Sequence, residues 1–249
     1  MHACAWFVFH TIFYRLDEKT PPEEIRNLLE KLNCDNLCDG IIMQLPLPSS
    51  LNLHDLNSAI LPMKDVDCLT AFNQGLLSLG KQIFSPCTPL GCEKLIDLTY
   101  NLLEGGDYVI EPPKVNLSGK TALVVGRSNL VGKPMAQLLL QRNCSVVICH
   151  SKTQNLLDFA KIADIVILAT GSTVGFSSKI FKKNSIVIDV GITQDANRKL
   201  RGDLIVESTQ LAAYTPVPGG VGPVTVQMFL EKTFIAFKHG AKTPINRIS

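Results

Sequence analysis

Four short stretches of this chain carry residue types that do chemistry at useful spacings. Gln44 is a polar amide near the end of an otherwise apolar run, Asp39-Gly-Ile-Ile-Met-Gln-Leu45. A buried amide needs partners, so it either bonds the backbone or faces a ligand at the carboxyl end of a strand. Lys64-Asp65-Val66-Asp67 is a charged knot in a turn. It reads either as a solvated loop with Asx-turns or as a carboxylate held to accept two N–H bonds from a planar heterocycle. Gly126-Arg-Ser-Asn-Leu-Val-Gly132 follows an apolar run ending at Val125 and opens a helix, which aims backbone amides where a pyrophosphate binds. Finally, Pro216 to Pro223 holds three prolines (Pro216, Pro218, Pro223) and three glycines (Gly219, Gly220, Gly222). Such a segment is stiff, yet its bare amides approach a flat ligand closely. An ordinary turn is the bland reading, and the density of both residue types argues against it.

The glycine loop is not the usual G-x-G-x-x-G, since Ser128 stands where the second glycine would be, and alone it reads equally as a plain βα turn. The next strand sharpens the case. A site preferring NAD ends its second strand in an acid that holds the ribose 2′-hydroxyl and repels a 2′-phosphate. Here that strand ends Cys149-His150-Ser151-Lys152, with Arg127 across the first loop. A hydroxyl with cations suits a phosphate dianion, so NADP is expected over NAD. His150 reads as a strand-end residue near the phosphates and not as a base. Asp189 reads as a cap or backbone acceptor.

The elements that must position these residues follow from pattern. His10 to Leu16 reads as a strand, Thr20-Pro-Pro-Glu23 as a capping box, and Ile25, Leu28, Leu29 and Leu32 as the inner stripe of the helix it starts. Asp39 to Leu45 reads as a buried strand. Ser85 to Gly91 is a Pro-rich hinge before a Leu-rich helix through Leu103, where a domain boundary is placed. From Lys120 the rhythm becomes strand, helix, strand, helix: strands at 121–125, 145–149, 164–169 and 185–190, helices at 134–142 and 156–162. That alternation implies a parallel sheet flanked by helices. A last helix, Val224 to Phe237, is expected to fold back on the first domain.

Composition bounds the function. With 249 residues, 46% hydrophobic and 18% charged, the chain is of soluble globular type and long enough for one large or two modest domains. A formal charge of +2 without a basic cluster argues against nucleic acid. The eight cysteines lack paired C-x-x-C spacing, so no metal site and no disulfide framework are expected, and a reducing, cytoplasmic setting is. The apolar opening, Met1 to Phe13, is too short to span a bilayer and lacks the marks of a leader, so no membrane partner is expected.

In order along nearly the whole chain, 39–48, 64–67, 86–92, 126–134, 149–153, 187–192 and 215–223 resemble the bifunctional methylenetetrahydrofolate dehydrogenase/methenyltetrahydrofolate cyclohydrolase (FolD) family. The resemblance implies an α/β, two-domain fold: a Rossmann-like NADP domain with a parallel sheet (91–222), and an α/β folate domain lacking its first elements (1–90, joined by the helix 223–249), with a cleft between. It implies a homodimer and one-carbon metabolism that feeds purine biosynthesis. Gln44 and Asp67 would be catalytic; Gln44, Leu45, Pro46, Asp67, Pro218, Gly219 and Gly220 would contact folate; Gly126, Arg127, Ser128, Ser151 and Ile192 would bind NADP. In the implied reaction 5,10-methylenetetrahydrofolate gives up hydride to NADP+, and water opens the methenyl product to 10-formyltetrahydrofolate. Two departures stand out. No Tyr-x-x-x-Lys, the family's catalytic pair, occurs in the first forty residues, so turnover by this chain is expected to be impaired while NADP binding persists. The alternative is a non-catalytic NADP-binding subunit or dimer partner of the same fold. Cys68 also stands where the family has glycine, which puts the bend beside Asp67 in question.

Overall fold

The computed structural model describes residues 9–172, 174–195, 198–207 and 210–242. The chain divides into two compact units, 1–87 with 226–249, and 88–225. Residues 1–8 of the apolar opening and 243–249 of the terminal segment lie outside the described residues.

The first unit packs three helices, α1 (Pro22–Cys34), α2 (Leu53–Ser58) and α3 (Ala71–Ser78). Ile25 and Leu29 of α1 are buried against Ile41, Leu56 and Ile60, with Leu32 beside them, so the i, i+4, i+7 stripe does face a core. The expected capping box does not form. The helix begins at Pro22 behind Pro21, with no side-chain cap, because two successive prolines move the start past the reach of Thr20. Proline does occupy the first turn, where its missing N–H costs nothing. Two expected strands are corrected. Residues 10–16 carry no regular structure, and Ile12, Phe13 and Tyr14 are exposed. In 39–45 one parallel bridge, Ile41 to Asp65, is all that forms. Both runs have β-type residues, but a strand exists only with a continuous ladder; among the described residues 10–16 has no ladder partner and 39–45 has only that single bridge.

The second unit opens with α4 (Cys87–Leu103), which starts one residue before the unit boundary, followed by β1 (Thr121–Val125), α5 (Gly132–Gln141), β2 (Ser145–Cys149), α6 (Leu156–Ala160), β3 (Ile165–Leu168) and β4 (Phe176–Ser177). Then come β5 (Ile186–Asp189), β6 (Thr193–Gln194), β7 (Leu200–Arg201), β8 (Leu204–Ile205) and β9 (Ala213–Tyr214), and last α7 (Val221–Lys242), whose residues from Val226 belong to the first unit. The main sheet is parallel with order β2-β1-β3-β5-β9. Ala122 and Val124 face one core with Ile96, Met135 and Leu139, while Leu123 and Val125 face another with Ala160 and Phe181. A sheet covered on both faces needs apolar residues at every strand position, which is why these strands read as unbroken runs. The chain leaves β1 for β2 on one side and reaches β3 on the other, so the switch point lies at the carboxyl ends of β1 and β3.

Arg142, just past α5, fastens that helix to α4. Its guanidinium donates to Asp97 at 2.6 and 3.1 Å and to Glu93 at 3.3 Å, and to the Val115 carbonyl as well. All three charged side chains are at most 9% exposed.

Candidate functional site

At the switch point the chain turns sharply after β1. Gly126 has φ +132°, and a Cβ there would collide with the Ala169 carbonyl at the end of β3. A Cβ on Gly132, the first residue of α5, would collide with the Gly126 carbonyl. Both positions therefore demand glycine, the first for the tight turn and the second for close helix–strand packing, as a pyrophosphate-binding turn requires. Ser128, in place of the middle glycine, turns its hydroxyl inward to accept the Val131 N–H at 3.1 Å and the Gly132 N–H at 3.4 Å. Arg127 and Ser128 are exposed. The Gly126 N–H donates to the Cys149 carbonyl at 2.8 Å, which ties this turn to the end of β2. There Ser151 and Lys152 are exposed, and His150 Nδ1 accepts the Lys152 N–H at 3.1 Å. That engages one ring nitrogen in shaping its own turn. The cradle fits a dinucleotide, and the end of β2 carries Ser151 and Lys152 where an acid would repel a 2′-phosphate.

The ends of β3 and β5 are built on two buried acids. Asp189 closes β5 and accepts the N–H groups of Gly191 (2.9 Å), Asp203 (3.0 Å) and Leu204 (2.8 Å), so it is a backbone acceptor as expected from sequence. Burial pushes its carboxyl above the ordinary value, and the neighbouring Asp203 charge adds to this, against the pull of its N–H donors. Ile192, directly after the Gly191 turn, is exposed. Asp203 was not marked by sequence reasoning. Its carboxylate accepts from Thr170, Gly171 and Ser172 in the turn after β3, but in the sequence it is one acid in a polar hairpin, indistinguishable from a solvated loop residue.

Further on, the Thr215 hydroxyl accepts the Asp189 N–H at 2.8 Å and so anchors the start of the proline–glycine segment. Beyond it Pro216, Pro218 and Gly219 are exposed, and Gly219 has φ +102°. Gly220 is buried, with no room for a Cβ beside the Pro216 carbonyl. The Val217–Pro218 peptide is cis, as is Leu45–Pro46 in the first unit.

In that first unit the charged knot divides its labour. Lys64 Nζ donates to the carbonyls of Leu32 (2.8 Å), Asn33 (2.7 Å) and Asp35 (2.8 Å), closing the carboxyl end of α1 with a cation. Buried Asp65 accepts the N–H groups of Leu69 (2.9 Å) and Thr70 (2.8 Å) and the Asn73 amide (2.8 Å). Those two residues are structural, which leaves Asp67 as the acid available for a ligand. It accepts the Cys87 N–H at 3.0 Å, and its carboxyl is pushed up to about 6, chiefly by burial, with Cys87 hydrogen bonds opposing and Asp65 adding. Gln44 is exposed and donates to the Leu45 carbonyl at 3.0 Å; Leu45 is half-buried and Pro46 exposed. The Ile41–Asp65 bridge sets these stretches side by side, just upstream of Gln44 and Asp67. Among the described residues no helix is long and apolar enough to cross a membrane, and no His, Cys, Asp or Glu group is arranged to hold a metal ion.

Residues 1–67 match the family model of the tetrahydrofolate dehydrogenase/cyclohydrolase catalytic domain, and residues 86–241 that of the corresponding NAD(P)-binding domain. The bifunctional protein FolD of Acetivibrio thermocellus is 43% identical over 242 residues, which is 96% of this chain and 80% of that protein. Among solved structures, the bifunctional FolD of Campylobacter jejuni superposes with a TM-score of 0.85 at 37% identity, over 96% of this chain and 80% of that one. The Trypanosoma brucei enzyme, solved with NADP and an inhibitor, gives a TM-score of 0.85 at 31% identity, over 97% and 81%. These matches extend through both units, and the chain belongs to the tetrahydrofolate dehydrogenase/cyclohydrolase (FolD) family.

Proposed function

We propose that the protein oxidises 5,10-methylenetetrahydrofolate with NADP+ and hydrolyses the methenyl product to 10-formyltetrahydrofolate. The observation that carries this is the glycine-locked turn at the β1/β3 switch point, set beside a β2 end that holds Ser151 and Lys152 and no acid. It joins family membership to a choice of dinucleotide. The backbone amides of 126–132 take the pyrophosphate, Arg127 and Ser151 the 2′-phosphate, and Ser128 and Ile192 complete the dinucleotide contacts. The bound dinucleotide supplies the hydride acceptor; the chain supplies orientation and electrostatics. In the folate site, 1–90 with 223–249, Asp67 accepts the pterin N–H groups, and Gln44, Leu45 and Pro46 hold the reacting end. Pro218, Gly219 and Gly220 of the stiff segment are assigned to folate contact, and 91–222 to the dinucleotide domain. An acid titrating near 6 is ionised at neutral pH and so accepts hydrogen bonds without donating. The working form is a homodimer in the cytoplasm, a setting that the free thiols of the described cysteines support.

The test is direct. Purified protein is given 5,10-methylenetetrahydrofolate with NADP+ or NAD+, and reduced nicotinamide and the decay of methenyltetrahydrofolate are followed separately. Because no Tyr-x-x-x-Lys occurs in the first forty residues, NADP+ binding with only weak NADP+-dependent reduction and methenyl hydrolysis is the expected result. Full turnover by these 249 residues overturns the expected impairment, and absence of both activities in protein that binds NADP+ favours the non-catalytic NADP-binding subunit instead.

A further inference from the structure

The Asp203 carboxylate is fully buried, and its hydrogen bonds among the described residues converge from a single turn. Its Oδ2 accepts the Thr170 N–H at 2.7 Å, the Thr170 hydroxyl at 2.7 Å and the Gly171 N–H at 3.1 Å; its Oδ1 accepts the Ser172 N–H at 3.0 Å. Three consecutive residues thus point their donors at one anion. A turn this short has no internal ladder to fix its shape, so the carboxylate fixes it. The Asp203 N–H in turn donates to Asp189 Oδ1 at 3.0 Å, and the same oxygen accepts the Gly191 N–H at 2.9 Å. The two acids therefore couple the turn after β3 to the turn after β5. The first of these turns starts at Ala169, whose carbonyl is the atom that forbids a side chain on Gly126.

We propose that Asp203 is a positioning residue for dinucleotide binding, shaping the 170–172 and 191–192 turns on either side of the carboxyl ends of β3 and β5. This rests on the reading of the second unit as the NADP-binding one. Charge and acceptor count explain why an acid is needed. Four donors converge on two oxygens, and an amide would present its own N–H to one of them.

The test compares full-length wild type, Asp203→Asn and Thr170→Val by calorimetric titration with NADP+ well below their melting temperatures, together with steady-state kinetics. Asp203→Asn is expected to raise the NADP+ dissociation constant and KM about tenfold, with the folate KM unchanged. Thr170→Val, at an exposed position, removes one donor and raises the constant severalfold. A purely structural role would lower the melting temperature and leave NADP+ affinity intact, and that result overturns the inference. If Asp203→Asn fails to fold, Thr170→Val decides alone, and unchanged affinity again overturns it. Wild type that binds no dinucleotide sinks the functional reading as well, whereas wild type that binds beside indifferent variants sinks this inference only.

Discussion

Cys87 donates its backbone N–H to Asp67 Oδ1 at 3.0 Å, and that bond only partly offsets the burial that lifts the Asp67 carboxyl from 3.8 to about 6. The folded state therefore binds this proton more tightly than the unfolded chain. The stabilisation is complete below about pH 4 and declines as pH rises through about 6. Asp67→Asn has no charge to bury. It should be more stable than wild type at pH 8, on the order of 1–3 kcal/mol, with the difference vanishing near pH 4. Urea melts at the two pH values check this, and an equal difference at both contradicts it.

The same ionisation governs activity in the opposite sense. If the carboxylate is the form that accepts the pterin N–H groups, kcat/KM for folate should rise as pH increases through about 6 and then level. Asp67→Asn should flatten that limb and raise the folate KM at neutral pH while leaving the NADP+ KM in place. A limb that survives the substitution belongs to another group.

Cys68 occupies a left-handed conformation, φ +55°, while its side chain is fully buried among Val66, Phe84 and Ala236. The bend expected from glycine is kept, at a backbone cost offset by packing. Cys68→Gly should then lie within about 1 kcal/mol of wild type, trading strain relief against lost burial. Cys68→Val, apolar but carrying a second γ-branch, should cost about 2 kcal/mol or more, because a β-branched residue is an outlier at this φ. Chemical denaturation ranks the two, and a benign valine would show that packing alone sets this position.

How far sequence reading reached depends on where order comes from. Strands β1, β2, β3 and β5 were legible to within one residue at each end, since burial on both faces forces runs such as Thr121–Val125. The two-residue strands β4 and β6 to β9 are too short to carry a pattern and were not anticipated. The runs 10–16 and 39–45 have similar composition and failed, because the ladder partner that makes a strand is not written locally. Thr20 and Glu23 had the right spacing for a cap, and the intervening prolines moved the helix start past Thr20, leaving Glu23 in the first turn. At the dinucleotide turn, Gly126 and Gly132 were readable because glycine is there for its missing Cβ, which composition shows. The division of labour among Lys64, Asp65 and Asp67 depends on contacts up to 32 residues apart, and the hold of Asp203 on the Thr170 turn spans 33, so neither could be read from spacing.

Arg142 holds two acids, Asp97 and Glu93, in a setting where all three side chains are nearly out of solvent. Burial lifts the Glu93 carboxyl, with the Arg142 charge the largest opposing influence. Arg142→Met keeps most of the stem's packing but leaves two buried carboxylates uncompensated, and should cost about 3–5 kcal/mol at neutral pH. The loss should shrink in acid, where the Glu93 carboxylate, lifted by burial, takes up a proton. The triple variant Arg142→Met, Asp97→Leu, Glu93→Leu should recover much of the stability. Failure to recover would show that the cluster also satisfies the loop at Val115 in a way leucine does not replace.

Cofactor choice gives the sharpest test of the second unit. Ser151 stands exposed just past β2, tied through the Cys149 carbonyl to the turn at Gly126. Wild type should prefer NADP+ over NAD+ by at least about tenfold in kcat/KM, since a phosphate dianion gains charge-assisted bonds here that a hydroxyl does not. Ser151→Asp puts a carboxylate where the 2′-phosphate would lie. It should cut the NADP+ value by about tenfold or more and leave NAD+ unchanged or improved. Arg127→Ala should weaken NADP+ selectively and make its binding less sensitive to salt. Gly126→Ala, by contrast, should lower affinity for both dinucleotides together, because its methyl group would push the turn off the Ala169 carbonyl whatever the ribose carries. A Ser151→Asp variant that keeps its preference for NADP+ would move the 2′-phosphate contact away from the end of β2.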